Sequence, residues 1–187
     1  KMQGAQIDVW GVGTTLITAY DQPALGGVYK LVSIEHSDGK MYDTLKISSN
    51  AEKVSTPGKK QVWRISANSE KKNEGDWISC WNEDPRKLDA LYMFHPQYTY
   101  INKVVTNYTA YPILKDIFVD GKQVYVEPSL QEIKKFAMTN LDGLWDEYKR
   151  SLNPQEYPVD LSQALYDHKM HLISKIRTQI IKRECED

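Results

Sequence analysis

The hydrophobic period of the chain changes once, after Pro128, and this change constrains the fold more than any other feature. Before it, apolar and polar residues alternate in short segments, a pattern typical of half-buried strands. After it, apolar residues recur at helical spacing, and Ser129 with Glu132 forms a capping box at the start of a helix. This order of strands and then helices predicts an α/β or α+β fold.

The strand-like part divides at turn signals. Residues 28–34, 44–48 and 61–65 alternate in polarity and predict an antiparallel meander, with turns at Asp38-Gly39 and Pro57-Gly58. The polar stretch 67–76 has the composition of a surface loop, so we predict a boundary near residue 70 and two domains, 1–70 and 71–187. Further strands are predicted at residues 77–81, within 99–111, and on both sides of the Asp120-Gly121 turn.

Two helices are predicted near the C-terminus. The first runs from Ser129 to about Tyr148 and ends before Asn153-Pro154, and the second is capped by Asp160 with Gln163. A short proline-bounded loop between two helices favours antiparallel packing, so we predict a helical hairpin.

Composition excludes several classes of partner. The chain has 187 residues, with 24 basic and 25 acidic side chains and a net charge of -1, which leaves no basic surface for nucleic acid or anionic lipid. No apolar segment reaches the roughly 18 to 20 residues of a membrane span, and the first residues lack a signal-peptide pattern. We therefore expect a cytoplasmic protein. Cys80 and Cys185 lack metal or redox spacing and are predicted to be unpaired thiols.

The stretch IDVWGVGTTLITAY is the strongest candidate for a binding site. A predicted strand at residues 7–10 leads into Gly11, Val12, Gly13 and Thr14, followed by an apolar, helix-like turn. Two glycines separated by one residue let several N–H groups approach an anion, and a helix start adds the positive end of its dipole. The motif lacks a third glycine, so residue types alone leave a phosphate site and an unliganded tight turn equally open. Asp8, placed in the strand, is a candidate supporting residue or structural ion-pair partner.

The four histidines do not define a metal site. His168 and His171 are three residues apart on the second predicted helix, but the sequence shows no third ligand near them. We interpret His168 as a satisfied core or interface residue, His95 as a turn residue and His36 as solvated. No metal ligand is predicted in this chain.

Longer strings resemble a known family. KMQGAQIDVWGVGTTLITAYDQPALGGVYKLVSIE, KISSNAEKVSTPGKKQVWRI, FHPQYTYINK and LWDEYKRSLNPQEYP are similar to bacterial nicotinate phosphoribosyltransferase, along this whole chain but only in the C-terminal part of that family. The resemblance implies that residues 1–70 end a TIM-like catalytic barrel, with the phosphate loop and meander, and that residues 71–187 form a C-terminal α+β domain.

The resemblance also implies a reaction. In that family, nicotinate and phosphoribosyl pyrophosphate give nicotinate mononucleotide and pyrophosphate in NAD salvage. ATP hydrolysis is coupled to this reaction through a phosphorylated histidine, and Mg²⁺ is a cofactor. The same resemblance assigns ribose 5-phosphate binding to Gly11, Val12, Gly13 and Thr14. The phosphorylated histidine and the nicotinate-binding arginine have no matching motif here, so no catalytic residue is predicted in this chain.

These features lead to two functional hypotheses. In the first, the chain is the C-terminal part of a glycosyltransferase or ligase of this family, inactive alone, and its first strand pairs with the rest of the enzyme or a second subunit, changes register, or frays. In the second, the chain is a non-catalytic interaction module whose strands and helices pack on a partner subunit.

Overall fold

The computed structural model describes residues 4, 6–24 and 26–184. It divides into two compact units, Lys1–Lys30 and Leu31–Asp187. In the first unit, the described residues contain one helical turn, α1 (Thr14–Ile17), and no strand. The strand predicted at residues 7–10 is therefore wrong. The described residues of this unit include no strand that could pair with residues 7–10, and the side chains of Val9 and Trp10 are exposed.

The second unit begins with a short hairpin. Strands β1 (Ser33–Glu35) and β2 (Met41–Asp43) pair antiparallel around the predicted Asp38-Gly39 turn, where Gly39 has φ +75°. The strands are much shorter than predicted, and residues 44–48 form no strand. This hairpin is a separate two-stranded sheet, so the predicted three-stranded meander does not form.

A six-stranded sheet forms the centre of the second unit. Its first five strands in chain order are β3 (Lys60–Ala67), β4 (Asn73–Cys80), β5 (Ala90–Phe94), β6 (Asn102–Thr106) and β7 (Tyr108–Pro112). A small hairpin follows, made of β8 (Phe118–Val119) and β9 (Lys122–Gln123), and it confirms the predicted Asp120-Gly121 turn. The last strand, β10 (Val159–Leu161), completes the sheet in the order β6-β5-β10-β4-β3-β7. β10 is parallel to β4, and every other neighbouring pair is antiparallel.

A cluster of buried hydrophobic side chains lies on one face of this sheet. Alternate residues of the strands point to the same face, and those of five strands meet there. The buried cluster consists of Trp63, Ile65, Trp77, Leu91, Met93, Val105 and Ala110. Ile65 is fully buried, so the two-residue period correctly identified the strand at residues 61–65, whereas β5, which carries the fully buried Met93, was not predicted.

The segment around residue 70 is a tight turn. Ala67 donates its N–H to the Lys72 carbonyl over 2.8 Å, which closes the β3–β4 hairpin. The two strands are paired along nearly their whole length. The polar composition of residues 67–76 thus marks a hairpin turn and the start of β4, and the chain divides into its two compact units between Lys30 and Leu31. The division into domains 1–70 and 71–187 stays a prediction.

The first long helix begins where predicted and ends earlier. Helix α2 (Leu130–Asp142) is capped by Ser129 and Glu132, which form both bonds of the capping box. Its end is held by the β3–β4 turn, because Asn73 donates its N–H to the Gly143 carbonyl and Lys72 Nζ bonds the carbonyls of Asp142 and Leu144. A separate turn, α3 (Asp146–Lys149), follows.

The predicted helical hairpin is not confirmed. Helix α4 (Gln163–Glu184) is long, but α3 and β10 lie between it and α2. Asp160, predicted to cap α4, belongs to β10, and the N–H of Leu165 is bonded instead by Ser162 Oγ at 3.1 Å. The segment between α2 and α4 therefore contributes strand β10 to the sheet.

We expect Ser129→Ala to lower the free energy of unfolding by about 1 kcal/mol, the usual effect of losing a helix N-cap. The Ser129 hydroxyl bonds the N–H of Glu132, and alanine leaves that N–H without its acceptor. Denaturant unfolding followed by circular dichroism measures the change. Ser151→Ala, at an exposed position outside the helices and strands, is the control; equal losses for the two variants would contradict the role of the cap.

Candidate functional site

The predicted phosphate motif lies in the first unit, directly before α1. Gly13 precedes the helix with φ -91° and ψ 173°, and its carbonyl accepts the N–H groups of Leu16 and Ile17 at 3.2 Å each. The motif thus forms an extended segment that turns into a helix, as the sequence indicated.

The N–H groups of this motif face no internal acceptor. Among the described residues, the N–H groups of Gly11, Val12, Gly13 and Thr14 donate to no carbonyl or side chain. All four residues are exposed. Such unpaired donors before a helical turn can bind an anion.

The chain's own conformation does not require these glycines. A Cβ atom built on Gly11 or Gly13 meets no atom within 4 Å, and neither residue has a left-handed φ. Space around the backbone is therefore available to a ligand, and a larger residue can be introduced at either position without internal strain.

Asp8 is not buried in a strand, so its position does not by itself indicate a functional role. Asp8 is exposed and lies outside any strand, so its carboxylate does not need a buried partner. It forms no ion pair with the described residues. A supporting role for Asp8 at the phosphate motif stays a prediction.

The second unit contains a polar network that the sequence analysis missed. Arg64 on β3 lies directly opposite Asp76 on β4, with Nε 2.9 Å from Oδ1 and Nη2 3.1 Å from Oδ2. Its Nη1 donates to Asn140 on α2 over 2.7 Å, and the Tyr157 hydroxyl donates to Asp76 at 3.1 Å. These residues join the sheet to α2 and to the segment before β10.

The electrostatics of this network stabilise the ion pair. The hydrogen bond to Asp76 raises the pKa of Arg64, while burial and the Asp76 charge raise the pKa of the Tyr157 hydroxyl. The guanidinium therefore stays charged and the phenol neutral at physiological pH. The network can hold elements together, but its donors and acceptors are largely engaged with one another.

The histidines are placed much as the sequence suggested. His168 Nε2 lies 2.9 Å from Asp43 Oδ2, and the Ser33 hydroxyl donates to Asp43 Oδ1 at 2.8 Å, so α4 is tied to the β1–β2 hairpin. His95 accepts two turn N–H groups at Nδ1, and His36 is exposed. In the described part of the chain, no group of three or more His, Cys, Asp or Glu residues is arranged to hold a metal.

Two further predictions concern the thiols and membrane spans. Cys80 is a free thiol, as predicted, and burial raises its pKa. Cys185 lies outside the described residues. Within residues 4, 6–24 and 26–184, no helix combines the length and the apolar character needed to cross a bilayer.

Comparison with known proteins identifies the family. The profile of the nicotinate phosphoribosyltransferase C-terminal domain matches residues 59–169, a range that includes all six strands of the large sheet. This match defines the class of domain to which the sheet and its helices belong. The chain is thus a member of the nicotinate phosphoribosyltransferase family and corresponds to its C-terminal portion.

Individual relatives agree with this assignment. The chain is 53% identical over all its 187 residues to nicotinate phosphoribosyltransferase of Bacillus subtilis, of which it spans 38%. It is 32% identical over 88% of its length to nicotinate phosphoribosyltransferase 1 of Arabidopsis thaliana, of which it spans 29%. The crystal structure of human nicotinic acid phosphoribosyltransferase aligns with 63% of this chain and 23% of its own, with a TM-score of 0.56 and 23% identity, which supports the fold.

Proposed function

We propose that the protein carrying this chain transfers a phosphoribosyl group to nicotinate. The products are nicotinate mononucleotide and pyrophosphate, and the step belongs to NAD salvage. The observation that carries the proposal is 53% identity to the Bacillus subtilis relative along the entire chain. Because the chain spans 38% of that relative, we assign it a part of the enzyme and expect no turnover from it alone.

The phosphate motif supplies the proposed contact with substrate. Four unpaired N–H groups and the exposed Thr14 hydroxyl can surround the 5-phosphate of phosphoribosyl pyrophosphate. Hydrogen bonds to a charged phosphate are stronger than those between neutral groups, so this contact would fix the ribose while nicotinate attacks its anomeric carbon. The remaining walls of the pocket would come from the rest of the enzyme or from a second subunit.

ATP hydrolysis is part of the proposal, but no residue of this chain is assigned to it. In the described residues we find no cluster of carboxylates and histidines suited to Mg²⁺. The proposed phosphorylated histidine and the ligands of ATP are therefore expected elsewhere in the protein. A ligase-type coupling and a cytoplasmic location stay predictions.

The interaction-module hypothesis is not favoured. The relatives that match this chain across kingdoms carry the enzyme's name. The exposed apolar side chains of α2, such as Ile133 and Phe136, are compatible with contacts inside a larger enzyme as well. We therefore keep one proposed function.

We expect the natural-length protein to form nicotinate mononucleotide only when nicotinate and phosphoribosyl pyrophosphate are both present, and faster with ATP. Liquid chromatography of the product measures this. Nicotinamide in place of nicotinate is the control for ring specificity, and it should give little product. Absence of a mononucleotide under all of these conditions would refute the proposed function.

A further inference from the structure

A cleft lies beside the large sheet and adjoins the polar network of Arg64 at Tyr157, which lines it. Its volume is about 510 Å³, within the range of small-molecule sites. It is bounded by the turn after β5, the start of β6, and the segment that leads into β10. The walls include the apolar side chains of Pro96, Ile101, Pro158 and Val159.

Asp160 lines this cleft and is 94% buried, with 6% relative exposure. Its carboxylate accepts no hydrogen bond from the described residues. Burial raises its pKa, and the charges of Lys103 and His95 partly counter that effect. The carboxylate oxygens have no donor among the described residues but keep contact with solvent, so they can accept a hydrogen bond from a molecule that enters the cleft.

The neighbouring groups do not supply that donor. Lys103 Nζ is bonded to Glu74 Oε2 at 2.9 Å and also to the Glu74 carbonyl, so its charge is already paired. The Tyr157 hydroxyl is directed to Asp76. His95 accepts the N–H groups of Gln97 and Tyr98 at Nδ1, which leaves only Nε2 as a donor.

The charge of the cleft is therefore negative. Lys103 and Glu74 cancel, and the carboxylates of Asp160 and the exposed Glu156 outnumber the one remaining basic side chain, that of His95. Nicotinate, phosphoribosyl pyrophosphate and ATP are all anions, so none of them matches this site electrostatically. An apolar wall beside a buried carboxylate instead suits a flat or aliphatic body that carries one cationic nitrogen group.

We propose that the cleft between residues 95–103 and 156–160 binds a small organic cation, an amidinium, guanidinium or ammonium compound, through the carboxylate of Asp160. The cationic N–H groups donate to the carboxylate, and the apolar part of the ligand packs on Ile101 and Pro158. The site shares no residue with the proposed phosphate motif, and it does not depend on the proposed enzymatic activity.

Three probes of similar shape and different charge test the proposal: benzamidine, benzamide and benzoate. Titration calorimetry of the natural-length protein, without nicotinate or nucleotide, measures their dissociation constants. We expect benzamidine to bind about 10-fold or more tightly than benzamide, because a charge-assisted bond is roughly twice as strong as a neutral one, and benzoate to bind weakest. Equal affinities for the three probes, or no binding of benzamidine at millimolar concentration, would overturn the proposal.

Substitutions in the cleft test whether benzamidine binds at Asp160. Asp160→Asn should weaken benzamidine by about 10-fold, to the level of benzamide, and leave benzamide unchanged. Glu156→Gln removes an equal charge from the exposed rim and is the matched control, with a change of about twofold at most. If Asp160→Asn and Glu156→Gln weaken benzamidine binding equally, the ligand is attracted by the overall negative charge of the cleft and makes no specific contact with Asp160.

A third variant keeps the test valid if Asp160→Asn does not fold. Ile101 is 54% exposed, so Ile101→Trp can fill the cleft without altering the core. It should abolish the binding of benzamidine and benzamide alike. Unchanged benzamidine affinity in a folded Ile101→Trp protein would place the ligand elsewhere and overturn the assignment.

Discussion

Replacement of Gly13 by valine should raise the KM for phosphoribosyl pyrophosphate by about 10-fold to 100-fold, which corresponds to the loss of one charge-assisted hydrogen bond. The branched side chain would occupy the space in front of the unpaired N–H groups. Because Gly13 has φ -91° and no atom within 4 Å of its Cβ direction, valine introduces no internal clash. Initial rates of mononucleotide formation by the natural-length enzyme measure the change.

The control for this variant is Gly26→Val. Gly26 lies in the same unit, also has an open Cβ direction, and does not have a left-handed φ. We expect its KM for phosphoribosyl pyrophosphate to stay within about twofold of the parent, since it lies outside the proposed motif. An active Gly13→Val enzyme with unchanged kinetics would refute the phosphate-binding assignment and leave the family membership intact.

Loss of the charge on Asp76 should have the largest effect on stability. We expect Asp76→Asn to lower the free energy of unfolding by about 3 kcal/mol, the lower end of the range for breaking a buried ion pair. The lower end applies because the side chains of Arg64 and Asp76 keep 20% and 12% exposure. Asparagine cannot accept at both of its terminal atoms, so one donor of Arg64 is left unpaired inside the sheet.

An ion pair on the surface provides the control for Asp76→Asn. Arg86 and Asp84 form the same two-bond contact, with Nε 2.8 Å from Oδ1 and Nη2 2.9 Å from Oδ2, but the Arg86 side chain is 57% exposed. Asp84→Asn should therefore have a much smaller effect in the same denaturant titration. The double variant Arg64→Met, Asp76→Asn should lose less free energy of unfolding than the sum of the losses in the two single variants. If the losses simply add, Arg64 and Asp76 are not coupled.

Local signals in the sequence identified much of the fold. Ser129 and Glu132 specify a capping box within four residues, so the start of α2 could be predicted without knowledge of its surroundings. The alternation around Trp63 and Trp77 likewise identified two central strands, because their core face is buried in the observed sheet.

Predictions failed where distant residues decide the structure. Residues 7–10 have the composition of a strand, but a strand needs a partner, and the part of their unit that the structure describes contains none. β10 has only three residues, and its pairing with β4 depends on contacts about 80 positions away, so Asp160 appeared to be a helix cap. The end of α2 is set by Lys72 and Asn73, which no helical periodicity could indicate.

The candidate sites likewise could be predicted where the signal is local, and were missed where distant residues form the site. The motif at Gly11 to Thr14 could be found from its glycines, whereas its assignment to a ribose phosphate came from the resemblance. Arg64 and Asp76 could be matched only once the β3–β4 register was known, since Arg64 pairs with Asp76 across a turn. The Asp160 cleft combines three separate segments, and no short motif in the sequence marks it.

The position of β10 also determines the order in which this sheet can assemble. β4 and β5 follow each other along the chain, yet in the sheet they are separated by a strand from residues 159–161. During synthesis, the β3–β4 and β5–β6 hairpins can each form early from neighbouring residues, but they cannot join until β10 has left the ribosome. Because such long-range pairing is slow, the exposed edges of β4 and β5 are open to incorrect partners throughout that interval.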